Sequence, residues 1–340
     1  PLRFQIPWGG NQIYTPRAGY PITPFSTLRN LATTSPEIFA CVQTRKDQMA
    51  GITFDFAPRD KKAKGPVWDA KIKRAREFFA YPDQVTPWAS WVQTLVDEVL
   101  VIDALSIFKQ RDRKGRVIAY KIRDGATFKV LLDGTGDTPL PPTPAYRQVI
   151  YGAPMAGGDL TTDDLMYLPR NQRVWSPYGF SPTEALLLIV TAALQRSMFN
   201  LAYYTDGNMP EGLIGAPDSW SQQNIQDFQT YFDVLLSGDA RNRSKLRVVT
   251  ATMAKSIHEF REKDFSTEWE LWLLKLICAC YAVTPSEIGF TDDVNKATSK
   301  TQGDVNQRRG IKPLAGFIVG VLNAMLARDL ELADLEATWS

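Results

Sequence analysis

The sequence predicts an α+β fold in which two long helices carry a small insertion between them, and three observations lead there. First, Ser181-Pro182-Thr183-Glu184 sets serine at an N-cap, proline at the first helical position and glutamate at the third. An apolar run over residues 185–194 follows, so a helix starts here and runs to about residue 206, where Gly207 suits a left-handed cap. Second, residues 104–170 hold short apolar runs punctuated by glycine and proline, the pattern of strands and tight turns. Third, residues 263–283 read as a returning helix, and a strand, a helix and a strand lie between the two.

Taken in order, residues 1–30 are rich in Pro, Gly, Thr and aromatics without a period and read as an extended arm. A helix over 35–49 leads through Met49-Ala50-Gly51 to a strand over 52–57. Between Arg59 and Arg76 eight Lys or Arg face two Asp, which reads as a solvated loop and helix face. A helix over 87–103 carries Trp88, Trp91, Leu95, Val99 and Ile102 on one stripe. Residues 104–124 form a hairpin around Arg113-Lys114-Gly115-Arg116, and short strands follow at 128–132, 147–151 and 165–168. The returning helix has Phe265, Trp269, Leu273, Leu276 and Cys280 on one face, with Leu271, Leu274, Ile277 and Tyr281 apolar on others. Other copies of the chain are the natural cover for so many apolar faces. From Leu314 to Leu330 an i, i+3, i+4, i+7 stripe marks a last helix, with Pro313 at its start or at a kink. Gly316 and Gly320 beside that stripe read as a close helix crossing.

Composition bounds the function. A chain of 340 residues with 44% apolar content can bury two or three domain-sized cores, and a net charge of +2 excludes the strongly basic balance of a nucleic-acid-coating protein. Any DNA contact must come from local patches or from a geometry that surrounds the duplex. Cys41, Cys278 and Cys280 read as small core residues rather than as a disulfide or zinc set. The longest nearly uncharged stretches, 185–194 and 314–326, are shorter than the roughly 18 to 20 residues that span a bilayer, and no signal peptide is visible. The expectation is synthesis in a cytoplasm and no membrane partner.

Catalytic chemistry is hard to place. With one histidine, His258, no multi-histidine metal site can be built, and a triad would have to use that one residue. No Gly-x-x-x-x-Gly-Lys-Ser/Thr loop is present, and Gly134-Thr135-Gly136 and Gly157-Gly158 read as turns. Glu287, Asp292 and Asp293 could hold Mg²⁺ for phosphodiester hydrolysis, but they share one loop where a two-metal site needs ligands from several rigid elements. The expectation is no catalytic residue, no cofactor and no metal. The polar segment holding Asp292, Asp293, Asn295, Lys296, Thr298, Ser299 and Lys300 is either a solvent loop or a contact surface. In the insertion, Arg241, Arg243, Lys245 and Arg247 form a cationic patch suited to phosphate, to an acidic partner or merely to solvent. Trp220, Phe228 and Tyr231 could stack on bases, but their helix needs a core face, and packing is the preferred reading.

The order of these parts resembles the portal proteins of tailed double-stranded DNA bacteriophages, of the siphophage type. That family opens a long helix with G-x-S-P-x-E, here Gly179-Phe180-Ser181-Pro182-Thr183-Glu184, and ends it in a loop entering a strand, here residues 203–214. The helix beginning Ser35-Pro36-Glu37, the segment 228–249 and Val283-Thr284-Pro285-Ser286-Glu287-Ile288-Gly289 agree with three further family blocks. The resemblance implies an N-terminal arm at 1–30, an α+β wing domain at 31–180, stem helices at 181–208 and 261–284, a clip at 209–260, a tunnel loop and helix at 285–312 and a C-terminal wing or crown helix at 313–340. It implies a homo-oligomeric, dodecameric ring at one capsid vertex, through which double-stranded DNA is packaged and ejected. The terminase large subunit and the head-tail connector would dock on the clip, and major capsid and scaffold proteins on the wing. Asp292 to Lys300 would then face DNA, and Trp269, Trp272, Leu274, Ile277 and Tyr281 would meet neighbouring subunits. A different virion structural or assembly protein is the alternative, and a Mg²⁺-dependent nuclease a distant third.

Overall fold

A computed structural model describes residues 12–13, 23–174, 176–206, 212–217, 219–235, 246–250, 267–290 and 302–339. The chain divides into two units, one formed by residues 1–187 with 271–340 and the other by residues 188–270.

In the first unit, helices α1 (Phe25–Thr34), α2 (Pro36–Ala50) and α4 (Trp88–Val101) pack on one another. The stripe read in the sequence faces inward, because Trp91, Leu95, Val99 and Ile102 are all buried. Burial of each such side chain contributes about 1.5–3 kcal/mol. Helix α3 (Pro66–Ala80) presents Phe79 to the same interior, where it stacks on Phe56 and Tyr120. The hairpin of β3 (Leu105–Arg111) and β4 (Val117–Arg123) is joined on its other edge by β8 (Leu165–Leu168), all antiparallel. A second sheet runs in the order β1 (Gln12–Ile13), β5 (Phe128–Leu132), β6 (Tyr146–Ile150), β7 (Ala153–Leu160).

Three features differ from the sequence reading. Residues 25–30, assigned to the arm, open α1, whose Phe25, Leu28, Leu31 and Ala32 form a short buried stripe. Gly157 and Gly158 lie inside β7 rather than in a turn; a Cβ on Gly158 would strike the Met155 carbonyl, and the β6–β7 register slips there as a bulge. The C-terminal residues are not one helix, since α8 (Lys312–Arg328) is followed by β11 (Leu335–Trp339), which pairs antiparallel with β2 (Phe54–Pro58).

The helical run from Gln302 to Arg328 is continuous, but Asn306–Ile311 is a π turn. Pro313 explains its place, because a proline ring clashes with the carbonyl four residues back, and widening the turn there relieves the clash. By length and composition this run could cross a membrane. Its apolar stripe of Leu314, Ile318, Val321, Leu322, Met325 and Leu326 is instead spent on the core of its own unit. Its C-terminal end is anchored by a buried ion pair, Lys109 Nζ to Asp329 Oδ1 at 3.0 Å, with the Tyr120 hydroxyl donating to the same carboxylate at 3.2 Å.

In the second unit, β9 (Gly212–Ala216) and β10 (Leu246–Thr250) pair in parallel, with α6 (Gln222–Leu235) between them in sequence, a βαβ arrangement. Trp220 meets Phe228 edge-on at 5.4 Å, the packing contact expected of that helix, while Tyr231 is 62% exposed.

Candidate functional site at the helix junction

Two long helices, α5 (Pro182–Asp206) and α7 (Thr267–Cys280), have their roots in the first unit, and the residues that fix them are buried and polar. At the start of α5 the expected N-cap is present, the Glu184 amide donating to Ser181 Oγ at 3.1 Å. The Glu184 carboxylate is 3.4 Å from Arg173, whose guanidinium lies over the Phe180 ring. Just before the cap, Asp103, fully buried and in a left-handed conformation (φ 52°), accepts the amides of Arg170, Asn171 and Phe180 at 2.7, 2.9 and 3.0 Å. Burial pushes this carboxyl above its ordinary range against the pull of those three donors and of Arg170. Gly179 is required here because a Cβ would occupy the space of the Asp103 carboxylate. Thr183 then donates to the Leu100 carbonyl at 3.1 Å and lies 2.6 Å from the Tyr281 hydroxyl, joining the start of α5 to the end of α7.

The end of α7 is held by α2. Arg45 is 1% exposed, and its guanidinium donates to the carbonyls of Tyr281, at 3.2 Å, and Ala282 and to Gln48 Oε1 at 2.6 Å. Gln48 passes the link to Glu287, donating to its carboxylate at 3.0 Å. Burial lowers Arg45 to about 10, partly countered by Glu287, so it stays charged at neutral pH. A cation is favoured where a helix presents its last carbonyls. On its other side the guanidinium abuts Gly310 in the π turn, since a Cβ there would overlap it. Cys41 and Cys278 approach to 3.9 Å as free thiols in the same interior; the hydrogen bond with Cys278, and then burial, raises the Cys41 thiol, while burial raises the Tyr281 phenol.

The junction brings together some of the residues expected to matter and relocates others. Ile277 and Tyr281 are buried inside the chain, as is Leu274 at 6% exposure, so they are not the surface offered to a neighbour. The large apolar side chains that α7 leaves outside in the first unit are Leu271 and Trp272, at 42% and 52% exposure. Trp269, in the second unit, is half-buried with the Arg196 guanidinium over its ring. Asp292, Asp293, Asn295, Lys296, Thr298, Ser299 and Lys300 lie outside the described residues, as do Arg241, Arg243, Lys245 and His258, while Arg247 stands in β10 opposite Leu213. Among the described residues no group of three His, Cys, Asp or Glu is placed to hold a metal ion. Arg45 was missed, although the signal was legible: it sits on the stripe Ile38, Cys41, Val42, Arg45, Met49, a charge where helical periodicity demands an apolar residue.

The family model described as phage portal protein matches residues 36–338, so it takes in both helix roots, the insertion and the returning strand. The chain belongs to the phage portal protein family. It is 22% identical over 321 residues to a probable portal protein of Enterococcus phage phiEF24C, covering 87% of this chain and 55% of that one. The chain spans about half the length, or less, of the curated relatives it matches. Its fold is similar to a chain in the neck of a native GTA particle computed with C12 symmetry, with TM-score 0.65, 15% identity and coverage of 93% and 83% of the two chains. It is also similar to an HK97 family phage portal protein from Corynebacterium diphtheriae, with TM-score 0.52, 12% identity and coverage of 94% and 96%. The portal fold is thus shared at low identity, and the α+β class read from the sequence is the class of these structures.

Proposed function

We propose that this portal-family chain is the repeating subunit of a ring at one capsid vertex, and that the ring forms the channel for double-stranded DNA. The observation that carries the reading is the junction itself. Two long helices start and end at one polar root, where Thr183 meets Tyr281, and the described chain on either side of residues 291–301 belongs to that same unit. Such a frame presents one segment toward an axis while the rest of the unit is wedged between neighbours. The C12 symmetry of the similar GTA neck supports a dodecameric ring here. In this reading residues 209–260 are the clip, which docks the terminase large subunit and later the head-tail connector, with Arg241, Arg243, Lys245 and Arg247 as its cationic patch. Major capsid and scaffold proteins meet the wing. Asp292 to Lys300 line the tunnel, and their mixed polarity suits a duplex that must slide, since strong ion pairing to phosphate would hold it.

The work is mechanical. A chain with one histidine and no phosphate-binding Gly-x-x-x-x-Gly-Lys-Ser/Thr loop supplies no ATPase chemistry, so the energy of packaging comes from the docked motor. Electron microscopy of the purified full chain tests the proposal, with rings around a central hole as the expected result. A stable monomer at micromolar concentration across several buffers would remove its main support.

A further inference from the structure

We infer that Arg45 is a positioning residue that ties the two ends of the 291–301 segment to a single point on α2, so that neither end moves without the other. The inference rests on the reading of that segment as channel lining, and it adds the residue that sets where the lining sits.

The geometry is specific. The segment's upstream end is the turn that follows α7, where Ala282 takes a left-handed conformation (φ 54°) and stops the helix. Arg45 binds the two carbonyls left open there, those of Tyr281 and Ala282, and through Gln48 reaches Glu287 in the short 3₁₀ turn Pro285–Ile288. Downstream, the helix that resumes at Gln302 runs into the π turn Asn306–Ile311, and the same guanidinium lies against Gly310, whose lack of a side chain makes the room. One rigid, planar cation is therefore shared by both ends. It stands on a helix packed on α4 in the core, a firm base for either contact.

The downstream turn is continuous with α8, whose apolar stripe is in the core, and Arg45 adds a contact from α2. Asn306 Oδ1 in this turn, and Gln302 Oε1 one helical turn before it, are buried with no hydrogen-bond partner among the described residues, so these two side-chain oxygens do not pin it. A π turn can give up its extra residue by local rearrangement, and contact with a fixed neighbour decides whether it does. Lysine could not replace Arg45, because a single ammonium cannot satisfy two carbonyls and Gln48 while also filling the space against Gly310.

A double-mutant cycle on assembled full-chain rings tests the inference, read by hydrogen exchange in residues 281–288 and 302–311. Gly310→Ala pushes on the guanidinium from the downstream side alone. It is expected to raise exchange in 281–288 by about tenfold, and Arg45→Met to raise exchange in both stretches by a similar factor. The double variant should exceed neither single. If Gly310→Ala leaves 281–288 unchanged, or if the two effects add, Arg45 does not couple the ends and the inference falls. Should Arg45→Met fail to assemble, Arg45→Lys takes its place in the same cycle. DNA retention in a packaging assay separates the two claims. A non-additive cycle with unaltered retention leaves the coupling standing and removes the channel assignment of the segment. Altered retention with an additive cycle does the reverse.

Discussion

Glu98 is the residue whose surroundings make the clearest demand on solution conditions. Its carboxylate accepts from Arg29 at 2.7 Å and from the Gly125 amide at 3.2 Å, yet burial dominates and lifts it to about 7 from an ordinary 4.5. A carboxyl raised in the folded state binds its proton more tightly there than in the unfolded chain. This group therefore adds stability as pH falls from about 7 toward 4.5 and withdraws it as pH rises through 7. Asp55 and Asp159, depressed by Arg76 and Arg147, act oppositely, and their contribution is lost only at more acid pH. Relative to Glu98→Gln, the parent should lose on the order of 1–3 kcal/mol between pH 5 and pH 8, measured by denaturant unfolding at each pH. A difference that stays flat across this range would show that Arg29 outweighs burial.

At the scale of elements, the start of α5 depends on a residue far from it in sequence. Asp103 ends the α4 region and serves three amides around the turn that precedes α5, which leaves Gly179 no space for a side chain. Removing the acceptor strands the Arg170 and Asn171 amides, each worth about 1–3 kcal/mol when unsatisfied, while the Phe180 amide keeps the Asn171 carbonyl at 3.1 Å. Asp103→Ala should accordingly cost about 3 kcal/mol or more, while Asp103→Asn, which tolerates the left-handed backbone and keeps one acceptor oxygen, should cost less. Calorimetry of the two variants checks the order, and equal losses would mean that the three bonds contribute little. The π turn before Pro313 belongs to the same scale: a local clash sets its position, and contact with Arg45 makes it useful.

At the scale of the whole molecule, ring formation has to draw on surface the subunit leaves open. Leu274, buried at 6% exposure, belongs to the subunit core, so Leu274→Asp should destabilise folding by roughly 4 kcal/mol or more and abolish rings only as a consequence. Trp272, at 52% exposure, is the contrasting site. Trp272→Ser should leave the thermal unfolding of the subunit within a few degrees of the parent while sharply reducing the ring fraction in sedimentation. Unimpaired rings in Trp272→Ser would place the interface elsewhere.

The sequence by itself determined whatever rests on neighbours along the chain. Ser35-Pro36 and Ser181-Pro182 cap helices where they stand, the 165–168 and 128–132 strands lie where their apolar runs do, and one histidine limits chemistry in any fold. Tertiary structure decided whatever depends on distant partners. It returned β11 to β2 from the far end of the chain, turned Leu274, Ile277 and Tyr281 from prospective subunit contacts into core, and placed Arg45 against Ala282 and Gly310. The reason is physical: periodicity tells which side of a helix is apolar, but whether that side is covered by its own chain or by another depends on packing, and packing is not written in spacing.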